Sequence, residues 1–225
     1  MSIYIIFIAF ALLSFIIQQV LKSKFEKYSQ ITLPSGLTGR EVAEKMLRDA
    51  GIHDVQVVSV QGQLTDHYNP MTKTVNLSEP VYNSCSIAAA AVAAHECGHA
   101  IQHAIKYPFL TMRSKLVPIV SFASSWMQWV LLAGILLIQT MPQIMLIGII
   151  LFATTTLFSF ITLPVEINAS SRALMWLSGA GITNVSTYPK AKDALKWAAY
   201  TYVVAALGSL ATLVYYILIF TSRRD

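Results

Sequence analysis

Four stretches of this chain carry no charged residue, and each is long enough to cross a bilayer. They run from about Ile3 to Leu21, Leu116 to Thr140, Ile144 to Val165 and Trp197 to Phe220. A helix needs roughly 20 apolar residues to traverse the hydrocarbon core. At that length each stretch reads as a candidate membrane-spanning helix. Charged residues make up 12% of the 225 positions and hydrophobic ones 55%. A soluble domain carries about 25% charged residues and could not keep this much apolar surface in water. Disorder, collagen and coiled coil are excluded on the same ground. The first stretch reads as a retained anchor. It lacks a basic leading region, its apolar run is long, and no small-residue cleavage site follows it.

Lysine and arginine set the expected orientation, because they accumulate on the cytoplasmic side of a membrane. Lys22, Lys24 and Lys27 follow the first stretch, and Arg113 and Lys115 precede the second. Arg172, Lys190, Lys192 and Lys196 lie between the third and fourth, while the loop 141–143 is uncharged. All of these fall on one side if the N-terminus is outside and both long connections are cytoplasmic. Arg223 and Arg224 run against this layout. The net charge of +5 is explained by that asymmetry and gives no reason to expect a nucleic-acid partner. The expected divisions are an anchor at 1–21, a cytoplasmic portion at 22–115 and a transmembrane hairpin at 116–165. A cytoplasmic helical segment at 166–196 and a final transmembrane helix with its tail at 197–225 complete them.

The polar portion alternates helix and strand signals. Thr38 followed by Glu41 makes a capping box, and Gly51 is a helix stop, so 35–51 reads as an amphipathic helix. Val55, Val57, Val58 and Val60, then 63–68 before the turn Asn69-Pro70, then the alternating 74–78, read as a short antiparallel sheet. Thr74 to Ser78 is a candidate edge strand, to which an extended peptide could add. An alanine-rich helix starts near Ser84 or Ser86 and runs to about Ile105. Cys85 and Cys97 lie about 18 Å apart along that helix, too far for a disulfide, so both are expected to be free thiols.

That last helix carries His95-Glu96-Cys97-Gly98-His99, the pattern H-E-x-x-H. Residues four apart share a helical face, so both imidazoles can reach one ion. Zn2+ prefers nitrogen ligands of this kind in a tetrahedral site with one position left for water. Glu96 is placed to act as general base. The pattern also arises by chance, but here Glu and two His interrupt a run of alanines, where they are costly unless paired or metal-bound. A third protein ligand is then required. His103 continues the spacing one turn further on. Asp66 and His67 are near only if the sheet folds over the helix, as ligands or as contacts to the ligands or substrate. Glu166, after Leu163-Pro164-Val165, is an isolated carboxylate at the end of the third apolar stretch. It reads either as the third ligand or as a partner for Arg172. Pro164 is a natural first residue of a further helix.

The run His95 to Gln102, together with Leu163-Pro164-Val165-Glu166-Ile167-Asn168-Ala169-Ser170, resembles the YugP-type family of neutral zinc metallopeptidases. Asp66-His67-Tyr68-Asn69-Pro70 and Ser86-Ile87-Ala88-Ala89 fit the same pattern, so the resemblance spans nearly the whole chain. It implies a gluzincin-like site with His95, His99 and Glu166 on one catalytic Zn2+ and Glu96 catalytic. The wider membrane-bound HtpX-like proteases commonly carry an aspartate four residues after the third ligand, where this chain has Ser170. Asn168 or Asp66 is then the candidate partner of a zinc histidine, and Arg172 a further contact of the site.

The expected architecture is a mainly α integral membrane protein of about four transmembrane helices, with a small zincin-like α+β portion carrying the H-E-x-x-H helix. The expected function is a multi-pass cell-membrane zinc endopeptidase with its site facing the cytoplasm. Its partners would be the lipid bilayer and membrane-associated or misfolded polypeptides. Two rivals stand beside it. A non-catalytic scaffold with a structural zinc would not need Glu96. An intramembrane metalloprotease would supply its third ligand from an Asp-Gly pair, which this sequence lacks.

Overall fold

The computed structural model describes residues 3–222, so Arg223, Arg224 and Asp225 lie outside the described residues. The elements in order are α1 (Ile3–Ser29), α2 (Gly39–Asp49), β1 (Gln56–Val60), β2 (His67–Asn69), β3 (Thr74–Ser78), α3 (Glu79–Tyr82) and α4 (Ile87–Ala104). They are followed by α5 (Pro108–Leu136), α6 (Pro142–Gly179) and α7 (Tyr188–Ser222). Helices α1, α5, α6 and α7 are each long and apolar enough to cross a membrane. The architecture is thus mainly α with a small three-stranded sheet.

The chain forms two compact units. The first comprises the chain up to Ile16, Thr111–Leu163 and the chain from Thr201. Within it Leu131 of α5 packs on Met145 and Ile149 of α6, with Met127, Phe152 and Tyr216 around them. The close approach depends on Gly134, where a Cβ would lie 2.6 Å from the Met145 backbone. Small residues at such crossings are how apolar helices pack when lipid removes the hydrophobic drive between them. Phe7, Phe122, Trp126, Trp129 and Ile147 point outward. In water that surface would aggregate, whereas against hydrocarbon it costs nothing.

The second unit comprises Ile17–Leu110 and Pro164–Tyr200. Its core joins Val42, Ala43, Met46 and Leu47 of α2, Val75 and Leu77 of β3, the alanines of α4, Ala173 and Leu177 of α6, and Ala191 and Leu195 of α7. Helix α2 opens with the expected capping box, Thr38 accepting from the Glu41 amide and Glu41 accepting from the Thr38 amide. Gly51 follows α2 at φ +69°, the left-handed conformation that suits glycine at a helix end. At the end of α1, Asp193 of α7 accepts from Tyr28 at 2.6 Å and pairs with Lys24 at 2.7 Å.

Three expectations need correction. The sheet is mixed rather than antiparallel, in the order β1-β3-β2, with β1 parallel and β2 antiparallel to β3. The loop 61–66 carries the chain past β3's place, so the consecutive strands β1 and β2 end on opposite sides of it. Strand β3 is therefore central and cannot be the edge to which a peptide adds. Pro164 does not begin a helix, because α6 runs through it without a break. The proline removes one ladder hydrogen bond, but the stripe Val165, Ala169, Ala173 and Leu177, every fourth residue and fully buried, holds the helix on course.

Candidate metal centre

The centre is built on α4 and α6. Helix α4 starts cleanly because Ser86 caps it, its Oγ accepting from the Ala89 amide at 3.2 Å. Alanines then fill most of the buried face of α4, so its neighbours can approach closely. At Gly98 the helix comes very near α6: a Cβ there would sit 2.7 Å from the Ala169 carbonyl oxygen and 3.0 Å from its Cα. Gly98 lies between His95 and His99, and Ala169 lies between Glu166 and Ser170. This close approach of α4 to α6 is thus at the point where the two sets of polar side chains meet.

There, His95 Nε2 lies 3.3 Å and His99 Nε2 3.5 Å from Glu166 Oε2. Ligand atoms of His95, His99 and Glu166 all fall within 4.8 Å of one another. The imidazole rings stand edge to face, their centroids 4.8 Å apart, so their nitrogens aim at one region from different directions. Glu166 is 3% exposed and Glu96 8%. Burial pulls the His99 pKa down, but hydrogen bonding to Glu166 and the charges of Glu96 and Glu166 outweigh it and raise the pKa. A site that draws positive charge onto an imidazole also suits a cation.

A second layer of contacts orients the imidazoles. His95 Nδ1 is 3.1 Å from Ser170 Oγ. His99 Nδ1 is 3.1 Å from Gln102 Oε1. Gln102 Nε2 donates to the Val165 carbonyl and to Asn168 Oδ1, which also accepts from Arg172 Nε. Asn168 and Arg172 thus reach the site through Gln102. Asp66 is engaged elsewhere, accepting from the Ser78 amide and hydroxyl at the end of β3; burial raises its pKa. His67 is exposed on β2, with Nδ1 2.8 Å from the Thr65 carbonyl. His103 meets the Tyr68 hydroxyl at 2.9 Å and is not part of the His95–His99–Glu166 cluster. The sequence alone assigns no part to Gln102, Gly98 or Ser170. One signal was available: Gln102 lies three residues after His99, on the same helical face.

The donor set is two imidazole nitrogens and one carboxylate oxygen. Among the described residues no fourth His, Cys, Asp or Glu joins it. Cys97, one residue before Gly98, is fully buried and turned away, its thiol 3.6 Å from the Ala43 carbonyl of α2. Burial pushes that thiol well up in pKa, so it is no thiolate ligand. Structural zinc sites are closed by four protein ligands, whereas catalytic ones have three and an open position. The donors present fit the second description.

A helical protein with four spans apolar enough to cross a membrane, and with two histidines of an H-E-x-x-H helix and a glutamate placed to hold a metal ion, has the layout of a membrane metallopeptidase. The chain belongs to a family whose model, described as "Putative neutral zinc metallopeptidase", matches residues 3–221. It is 46% identical over 213 residues to a Bacillus subtilis (strain 168) protein described as "Putative membrane protease YugP", covering 95% of this chain and 94% of that one. No solved structure matches the chain.

Proposed function

We propose that the chain is a zinc-dependent endopeptidase of the cell membrane. His95, His99 and Glu166 hold one Zn2+, and Glu96 is the general base. The observation that carries this reading is the convergence of two imidazoles from α4 and a buried carboxylate from α6 on one point. When bound, zinc supplies a Lewis acid that acidifies water and polarises a carbonyl. The chain's own groups do the rest. His95 and His99 offer neutral nitrogens, and Glu166 offsets part of the ion's charge. Glu96, next to the first ligand, takes the proton of the attacking water and returns it to the leaving amine. Strands β1 and β2 leave the sheet edges at which an extended peptide can pair.

Two features favour this reading over its rivals. A scaffold with structural zinc has no use for the buried Glu96 and would close its site with a fourth ligand. An intramembrane protease would carry its motif on a span, yet α4 is not among the helices long and apolar enough to cross. The lysines at the ends of α1 and α7 favour a cytoplasmic site, and substrates would be membrane-associated or misfolded polypeptides. Purified full-length protein should contain about one equivalent of zinc and cleave casein. Chelation should abolish cleavage and added zinc restore it. Cleavage that survives complete removal of metal would reject the proposal.

A further inference from the structure

We propose that Gln102 is a positioning residue that holds His99 with its Nε2 lone pair turned to the metal site. The inference rests on the metal reading above and adds a role that the H-E-x-x-H pattern does not contain. Gln102 is fully buried, and the two partners of its amide nitrogen leave the side chain no choice of orientation. Its Nε2 lies 2.8 Å from the Val165 carbonyl oxygen and 3.0 Å from Asn168 Oδ1. A peptide carbonyl has no proton to give, so the amide nitrogen of Gln102 must face it. Asn168 is fixed in the same sense, because its Oδ1 accepts from Arg172 Nε at 2.8 Å. Turning the Gln102 amide over would set its oxygen against two acceptors in a buried place, at a cost of several kcal/mol for unsatisfied groups.

Oε1 of Gln102 is thereby committed to His99 Nδ1, 3.1 Å away. An amide oxygen only accepts, so Nδ1 must carry the proton. In a neutral imidazole with Nδ1 protonated, Nε2 is bare. Nε2 is the atom that lies 3.5 Å from Glu166. Direction thus passes from Arg172 and the α6 backbone, through Asn168 and Gln102, to the ring of His99. Outer partners of this kind fix which nitrogen of a histidine meets a metal. The His95 side is different. Its Nδ1 faces Ser170 Oγ at 3.1 Å, and a hydroxyl can donate or accept, so Ser170 imposes no such choice.

The test uses the full-length protein with nitrogen-15-labelled histidine, loaded with zinc, and the variant Gln102→Met, which keeps length and removes both polar atoms. In the parent protein His99 should coordinate through Nε2 and show a slowly exchanging Nδ1–H. In Gln102→Met the zinc dissociation constant should rise about 10- to 100-fold. The protection of the His99 Nδ1–H should disappear while the His95 ring signals stay as they were. A Gln102 that merely ties α4 to α6 would loosen both rings alike, because both face Glu166. Unchanged zinc affinity, equal changes at both rings, or an Nε2 proton on His99 in the parent would each overturn the proposal. If Gln102→Met fails to fold, the parent spectrum decides alone. The metal reading fails separately, by stoichiometric zinc retained in both His99→Ala and Glu166→Ala.

Discussion

Replacing Gly98 by alanine should separate the stability of the fold from the integrity of the metal centre. The added Cβ would lie 2.7 Å from the Ala169 carbonyl oxygen, where an ordinary carbon–oxygen contact is about 3.3 Å or more. The three atoms it would meet, the O, Cα and C of Ala169, all belong to the α6 backbone, so no side-chain rotation relieves the clash. The helices must part by about 0.6 Å, the difference between those two distances. Overpacking of this kind costs about 1–3 kcal/mol, and removing a helical glycine returns about 1 kcal/mol. The fold should therefore lose no more than about 2 kcal/mol. The centre is less forgiving, because zinc ligands must sit within about 0.2 Å of their proper distances. Moving Glu166 away from His95 and His99 by three times that tolerance should weaken zinc at least tenfold, about 1.4 kcal/mol. Competition with a chromogenic chelator measures the affinity, and thermal unfolding of the metal-free protein measures the fold. Gly179→Ala, where a Cβ meets nothing within 4 Å, is the control: it should leave zinc affinity unchanged and stabilise the fold by no more than about 1 kcal/mol. Gly98→Ala protein that binds zinc as tightly as the parent would refute the claim that this contact sets the spacing of the site.

Further outcomes follow from the same structure. Glu166→Ala should lose both zinc and proteolysis, whereas Glu79→Ala, at the start of α3, should lose neither; metal analysis and a casein assay check this. Thr38→Ala removes the capping box of α2 and should cost about 0.5–2 kcal/mol in denaturant unfolding, with zinc stoichiometry unaltered. Cys97 should not react with a thiol reagent at neutral pH until the protein is unfolded, because burial raises its pKa and hides it; a thiol count before and after denaturant shows whether it does. A cysteine in place of Met71, which is 91% exposed, in a chain lacking Cys85 and Cys97, should resist an impermeant reagent in intact cells and react after lysis. Labelling of intact cells would reverse the proposed orientation.

What the sequence showed was whatever depends on local pattern. The four apolar stretches, the Thr38–Glu41 capping box and the motif helix after Ser86 are written in runs of neighbouring residues, and each has its element. Glu166 could be singled out because an isolated carboxylate beside an apolar stretch needs a reason to be there. The failures share a cause, since each turns on a contact between residues distant in the chain. Pairing of β1 with β3 is decided by where the loop 61–66 crosses, and nothing in Gln56–Val60 records it. Pro164 reads as a helix start until the buried stripe from Val165 to Leu177 is seen pressed into the core. Gln102 and Gly98 acquire meaning only from the residues of α6 that face them, and Ser170 only from His95 of α4.

The most direct test of the account is Glu96→Gln in purified full-length protein, with zinc content and casein cleavage measured on the same preparation. Glutamine keeps the size of the side chain and lacks only the basic oxygen. The account predicts about one equivalent of zinc together with a fall in turnover of about 10²-fold or more. Turnover equal to the parent's, in protein shown to hold its zinc, would contradict the proposed mechanism.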